Sequence, residues 1–256
     1  MKVHHLNCGI LHVPPGPRAA CHCLLLEHDG RLALIDTGIG LQDVARPVER
    51  IGQAVIDAAG FQFHESLTAV RQVERLGYRA ADVTDIVLTH GDPDHVGGLA
   101  DFPAAAVHVS AEELARLESG HGRYSAAQFA HRPRWVMYPP SAARWFGIEA
   151  RPLPLLAGVE AFLVPLFGHT LGHCGVAVRA GDRWLLHVGD AYYLRVELTT
   201  DEHPVSVLAA QRADDDGQRR ASLAVLRRLA REHGAEVELF GYHDFAEFPP
   251  GFAAPA

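Results

Sequence analysis

Thr89-His90-Gly91-Asp92-Pro93-Asp94-His95-Val96-Gly97-Gly98 follows directly on the apolar run Ile86-Val87-Leu88. Two imidazoles and two carboxylates, His90, Asp92, Asp94 and His95, fall within six residues where a strand gives way to a turn. Held together, such groups desolvate one another and the carboxylates repel, unless a cation neutralises them. The cluster therefore points to a metal site and to a metal-dependent enzyme. Asp92 before Pro93 has the pattern of a helix N-cap followed by proline at the first helical position. Pro93 also biases Asp92 away from the helical region, which suits a side chain turned back toward a site.

Three further candidate ligands each stand where a predicted strand ends: His169 after Leu166-Phe167-Gly168, Asp190 after Val188-Gly189, and His243 after Phe240-Gly241-Tyr242. Strand ends at one edge of a sheet can converge on a single site. The strands themselves read from alternation and turn signals. Cys21–Glu27 and Arg31–Ile35 flank the hairpin signal Asp29-Gly30, and Ala161–Phe167, Cys174–Arg179, Arg183–Val188 and Val237–Phe240 follow later. Periodicity predicts helices over Ser66–Leu76, stopped by Gly77, and over about Gln218–His233, stopped by Gly234. Ser110-Ala111-Glu112-Glu113 reads as a capping box opening another helix. Residues 39–64 show no clear period. Residues 119–152, rich in Gly, Pro and aromatics (Tyr124, Phe129, Trp135, Tyr138, Trp145, Phe146), read as a loop-rich cap whose aromatics either wall a pocket or pack a satellite core.

The chain has 256 residues and 48% hydrophobic composition, enough for one sizeable core, so a single domain over 1–256 is the expectation. A net charge of -8 with no basic stripe disfavours nucleic acid as a partner. Arg219-Arg220 and Arg227-Arg228 read as a solvated helix face, and Asp214-Asp215-Asp216 as an exposed loop. No apolar run approaches the ~20 residues needed to cross a bilayer. The N-terminus lacks the apolar core of a signal peptide. Four scattered cysteines, Cys8, Cys21, Cys23 and Cys174, give no disulfide framework, so reduced thiols in a cytoplasm are expected. Of the 17 histidines, most carry no ligand spacing. His173 reads as a supporting or packing group and His187 as structural.

With these positions in place, the chain resembles the metallo-β-lactamase superfamily, whose hallmark is H-x-H-x-D-H after a strand, then a distant His, a bridging Asp and a late His. The matching residues are His90-Gly91-Asp92-Pro93-Asp94-His95, His169, Asp190 and His243, with Asp36-Thr37-Gly38 and Gly97-Gly98 also in keeping. The resemblance covers about residues 20–245. It implies an α/β fold, a four-layered αββα sandwich, with two divalent metals, zinc foremost and manganese or iron also accommodated. The first would be held by His90, Asp92 and His169 and the second by Asp94, His95 and His243, with Asp190 and a water or hydroxide bridging them. Position 92 departs from the family, which usually has His there. Asp92 is then either a ligand, since carboxylates bind zinc, iron and manganese alike, or only an N-cap. As a ligand it would make the site less positive and more tolerant of harder metals.

The resemblance implies hydrolysis of a small molecule. Asp190-Ala191-Tyr192-Tyr193 resembles quorum-quenching N-acyl homoserine lactone lactonases, which place a Tyr three residues after the bridging Asp. Tyr193 and Asp94 are thus the candidate catalytic residues, with packing under the loop as the other role open to Tyr193. A lactone or carboxylic ester is the expected substrate, a phosphoester or thioester the alternative within the fold, and a non-hydrolytic redox or sensor protein the alternative of another class. A homo-oligomer is compatible with an aromatic cap.

Overall fold

A computed structural model describes residues 1–252. Fourteen strands occur in chain order: β1 (Lys2–Leu11), β2 (Ala19–His28), β3 (Arg31–Ile35), β4 (Phe61–Gln62), β5 (Val83–Val87), β6 (Ala106–Ser110), β7 (Arg134–Tyr138), β8 (Arg144–Trp145), β9 (Ile148–Glu149), β10 (Arg151–Pro152), β11 (Ala161–Pro165), β12 (Cys174–Ala180), β13 (Arg183–His187) and β14 (Val237–Phe240). The helices are α1 (Leu41–Ala45), α2 (Pro47–Arg50), α3 (Gln53–Ala59), α4 (Ala69–Arg75), α5 (Pro93–Val96), α6 (Ala111–Glu118), α7 (Pro204–Arg212) and α8 (Asp216–His233). Seven strands form one sheet in the order β4-β1-β2-β3-β5-β6-β7, and five form another, β10-β11-β12-β13-β14.

Period-two alternation sorts the side chains into layers. Leu24, Leu26, Ala33, Ile35 and Val87 of the first sheet meet Leu163, Val176, Val178 and Phe240 of the second in one apolar cluster. Their neighbours along the strands point the other way. Cys21, Cys23, Leu25, Leu32, Leu34 and Ile86 pack with Val70 and Val73 of α4 and Leu114 of α6. Val164, Ala177, Leu186 and Leu239 pack with Leu223, Leu226 and Leu229 of α8. Helix, sheet, sheet, helix is the expected αββα sandwich.

Strand directions set the site. β3, β5, β6 and β7 run parallel. β11 and β13 each pair antiparallel with β12, and β14 runs parallel to β13. The C-terminal ends of β3 and β5 in one sheet, and of β11, β13 and β14 in the other, therefore open into loops that carry every candidate ligand.

Several expectations change. Residues 39–64 hold α1, α2, α3 and β4, elements of two to seven residues that are too short for a periodic signal. The helix expected over Ser66–Leu76 is a 3₁₀ turn at Glu65–Leu67 followed by α4. Within the cap at 119–152, Arg134–Tyr138 is the edge strand β7, and only part of the segment is loop. Its aromatics mostly do not face the metal-ligand cluster. Phe129 and Trp135 pack on the helix-side core of the first sheet, and Trp145 and Phe146 on the α8 side of the second. Arg219 is buried against Asp216 while Arg220 is exposed, so only half of that pair is solvated. Asp214, Asp215 and Asp216 are partly buried, with Asp215 capping α8 by accepting from the Gln218 N–H at 3.0 Å. All four cysteines are buried and free. Among the described residues, no helix is long and apolar enough to cross a membrane.

Candidate metal centre and active site

Backbone packing first fixes the loop that carries His90 to His95. The Thr37 N–H donates to the His95 carbonyl at 2.9 Å and the Gly98 N–H to the Gly38 carbonyl at 3.2 Å. This zips the loop after β3 to the one after β5. A Cβ at Gly97 would lie 2.0 Å from Asp43 Oδ2, so no larger residue fits that approach. Asp92 sits at the N-cap position of α5, with Pro93 at N1, but its side chain makes no capping bond. The carboxylate is turned into the site instead.

Seven side chains converge there. Asp190 lies centrally, its Oδ1 3.3 Å from His95 Nε2 and its Oδ2 3.3 Å from His169 Nε2 and 3.2 Å from His243 Nε2. Asp92 Oδ2 lies 3.3 Å from His90 Nε2 and 3.1 Å from His169 Nε2. Asp94 Oδ2 lies 3.7 Å from His95 Nε2 and 3.8 Å from His243 Nε2. Potential ligand atoms of His90, Asp92 and His169, of Asp94, His95 and His243, and of His90, His95 and Asp190 each lie within 4.8 Å of one another.

Surrounding groups fix which ring nitrogen faces inward. His95 Nδ1 donates to Asp36 Oδ2 at 2.8 Å, and Asp36 is itself held by the Thr89 N–H at 2.9 Å and the Thr89 hydroxyl at 2.7 Å. His243 Nδ1 donates to the Ala20 carbonyl at 2.8 Å. Both rings thus present Nε2 lone pairs to the cluster, as ligating histidines do. His173 donates from Nδ1 to the Leu166 carbonyl and accepts the Asp190 N–H on Nε2 at 3.0 Å, so it positions Asp190. His187 bonds the His22 carbonyl at 2.7 Å and is structural. Among the described residues, His90 Nε2, His95 Nε2 and Asp190 Oδ1 are buried without a hydrogen-bond partner. Buried polar atoms are rarely left so, and this inward-facing donor set fits a divalent ion.

The charges divide the carboxylates. Burial pushes Asp190 up, but His243, His95 and His169 outweigh it and hold the group well below the usual carboxylate range. Burial likewise opposes ionisation of Asp92, and the Arg123 guanidinium together with His90 and His169 outweighs it and holds the group well below the usual carboxylate range. Asp94 goes the other way, raised by burial with help from Asp190 and Asp92. Tyr193 stands edge-on to His169 and His243, with ring centroids 5.8 and 5.2 Å away. Burial, then Asp190 and Asp92, keep its phenol protonated.

Sequence reasoning missed two residues here. Glu113, expected to close a capping box, instead accepts from the Gly91 N–H at 2.8 Å, the Tyr124 hydroxyl at 2.9 Å and the Thr170 hydroxyl at 2.6 Å, bracing the ligand loops. Only the Ser110 half of the box forms. Arg123 grips Asp92 with Nε and Nη2 at 2.5 and 2.7 Å. The sole signal for it was the charge added by Asp at position 92, which calls for a counter-charge. Its presence offsets the loss of positive charge expected from that departure.

Residues 16–237 match the family model described as the metallo-beta-lactamase superfamily. The chain belongs to this superfamily. It is a metallo-hydrolase of that superfamily, whose members generally bind divalent metals, and its His and Asp groups could hold such ions. It is similar to a probable metallo-hydrolase of Mycobacterium tuberculosis, 42% identical over 255 residues that cover 95% of this chain and 80% of the relative. Two solved structures share the fold. An N-acyl homoserine lactone hydrolase with N-hexanoyl-L-homoserine bound at its catalytic metal centre is 19% identical, with a TM-score of 0.72 over 96% of this chain and 94% of that one. A probable metal-dependent hydrolase from Staphylococcus aureus is 15% identical, with a TM-score of 0.67 over 95% and 89%.

Proposed function

We propose that this protein hydrolyses an uncharged lactone or carboxylic ester at a site able to hold two divalent ions, zinc foremost. His90, Asp92 and His169 would hold one ion and Asp94, His95 and His243 the other, with Asp190 between them. The observation that carries this reading is the convergence of imidazole nitrogens and carboxylates from two sheets, several of them buried with no partner but one another. Divalent ions there would polarise a carbonyl and supply hydroxide at neutral pH.

The remaining work falls to side chains. The neutral Tyr193 phenol would donate to the carbonyl oxygen as it gains negative charge. Titratable neighbours whose environments push them apart reveal acid and base roles. On that rule Asp94, which burial raises, would take up the proton released by the attacking water and pass it to the leaving oxygen, while the depressed Asp190 stays ionised.

Two features favour an uncharged acyl substrate. The chain carries a net charge of -8, which disfavours polyanions, and one structural relative is a lactone hydrolase with a product at its metal centre. The test is kcat/KM of metal-loaded protein for lactones, carboxylic esters, thioesters and phosphoesters. Lactones or carboxylic esters should lead. A preference for phosphoesters would overturn the substrate class, and metal binding without turnover of any member would favour a sensor role.

A further inference from the structure

Arg123 does more than neutralise Asp92. Its Nη2 group lies 2.7 Å from Asp92 Oδ2 and 2.8 Å from His169 Nε2, the two atoms that with His90 Nε2 define the first metal position. A guanidinium has only donors, so His169 Nε2 must be the acceptor in that contact. An imidazole nitrogen has one lone pair, and it cannot accept this N–H and ligate an ion at the same time. Asp92 differs, since a carboxylate has about four lone-pair positions and can serve both. The competition is therefore specific to His169.

Arg123 is also anchored from behind. Its Nη1 donates to the Arg212 carbonyl at 2.8 Å and lies 3.3 Å from Asp214 Oδ1, and Asp214 pairs in turn with Arg116 at 3.0 Å. Asp94, His95 and His243 have no such rival: among the described residues, no arginine or lysine contacts them. The charges agree with an uneven site. Asp92, Asp94 and Asp190 carry three negative charges, and Arg123 with a single divalent ion supplies three positive ones. A second divalent ion would leave the cluster about two charges positive, and neutrality would then need both the withdrawal of Arg123 and the arrival of an anion such as hydroxide.

We infer that Arg123 acts as a built-in cation at the first metal position, so that the two positions load in sequence. One ion binds at Asp94, His95, His243 and Asp190. A second binds to His90, Asp92 and His169 only when the guanidinium swings away from His169. This rests on the ligand assignment proposed above but not on the substrate, and its test reads metal rather than turnover.

Titrate the metal-free protein with zinc and with manganese, following stoichiometry and affinity by calorimetry and elemental analysis. Breaking a charge-assisted hydrogen bond to reach His169 should make the second ion about 10- to 100-fold weaker than the first. In Arg123→Met that gap should shrink by at least about tenfold through a tighter second ion, with the first unchanged. Two ions of equal affinity in the wild type, or an unaltered gap in a folded Arg123→Met protein, would overturn the inference. Failure to bind any divalent ion would overturn the ligand assignment itself. If Arg123→Met does not fold, anomalous diffraction from wild-type crystals decides. One equivalent should occupy only the Asp94, His95 and His243 position, and excess metal should fill the other with Arg123 displaced. A first ion at His90, Asp92 and His169, or an ion there with Arg123 still bonded to His169, would refute it.

Discussion

Asp36 is fully buried and touches no candidate substrate position, yet it fixes the ring of His95 through a 2.8 Å bond from Nδ1. Partners of this kind set the tautomer and basicity of a ligating imidazole. Asp36→Asn keeps the shape but presents a neutral acceptor, or turns a donor toward Nδ1. It should weaken metal binding by about 10- to 100-fold, measured by competition with a chromophoric chelator. Unchanged affinity would reduce Asp36 to a packing group. Tyr193 makes the opposite prediction, because it faces the cluster without belonging to it. Tyr193→Phe should cost roughly 10²-fold in kcat while metal content stays at the wild-type level. Full activity would return Tyr193 to the packing role.

At the scale of elements, short-range signals were legible and long-range ones were not. Strand ends marked by Gly168, Gly189 and Gly241, the hairpin at Asp29-Gly30 and the long amphipathic α8 all announce themselves locally, and the structure forms them. The Arg134–Tyr138 strand hides because prolines at 133 and 139 flank it and its side chains are mostly exposed, with none fully buried, as an edge position permits. Arg123 lies in a Gly-rich turn with no period at all, and its partner Asp92 is 31 residues away. The turn that joins the loops after β3 and β5 makes its own prediction. Gly97 has ordinary helical dihedrals, so the constraint on it is space: a methyl group would press on Asp43 and the Gly38 carbonyl. Gly97→Ala should lose about 1–3 kcal/mol by urea unfolding and loosen metal binding, since α5 carries Asp94 and His95. A variant as stable as wild type would show that the two loops can part freely.

At the scale of the molecule, the layers were readable because alternation and helical period fix which faces are apolar, and the order of ligands along the chain matched one family. What that pattern left open was pairing across layers. An example is the interior polar seam where His5 Nδ1 and His22 Nε2 lie 2.8 Å apart and the His22 ring stacks on Phe248 at 3.8 Å. Burial first, then neighbouring histidines, lower both: His5 to about 4, and His22 well below its ordinary value. The folded protein therefore holds them neutral where the unfolded chain, with His near 6.5, takes up protons. Between about pH 6.5 and 4 the unfolded state binds more protons, so stability must rise with pH across that window and fall on acidification. Each fully depressed histidine contributes up to about 1.4 kcal/mol per pH unit to the slope. His22→Gln keeps a polar side chain beside His5 but removes one titrating group. Its urea midpoints, measured from pH 6.5 down to 4.5, should decline less steeply than wild type even if its stability at neutral pH is lower. Parallel slopes for the two proteins would mean that His22 is already protonated in the fold, and that the seam carries a charge its apolar surroundings argue against.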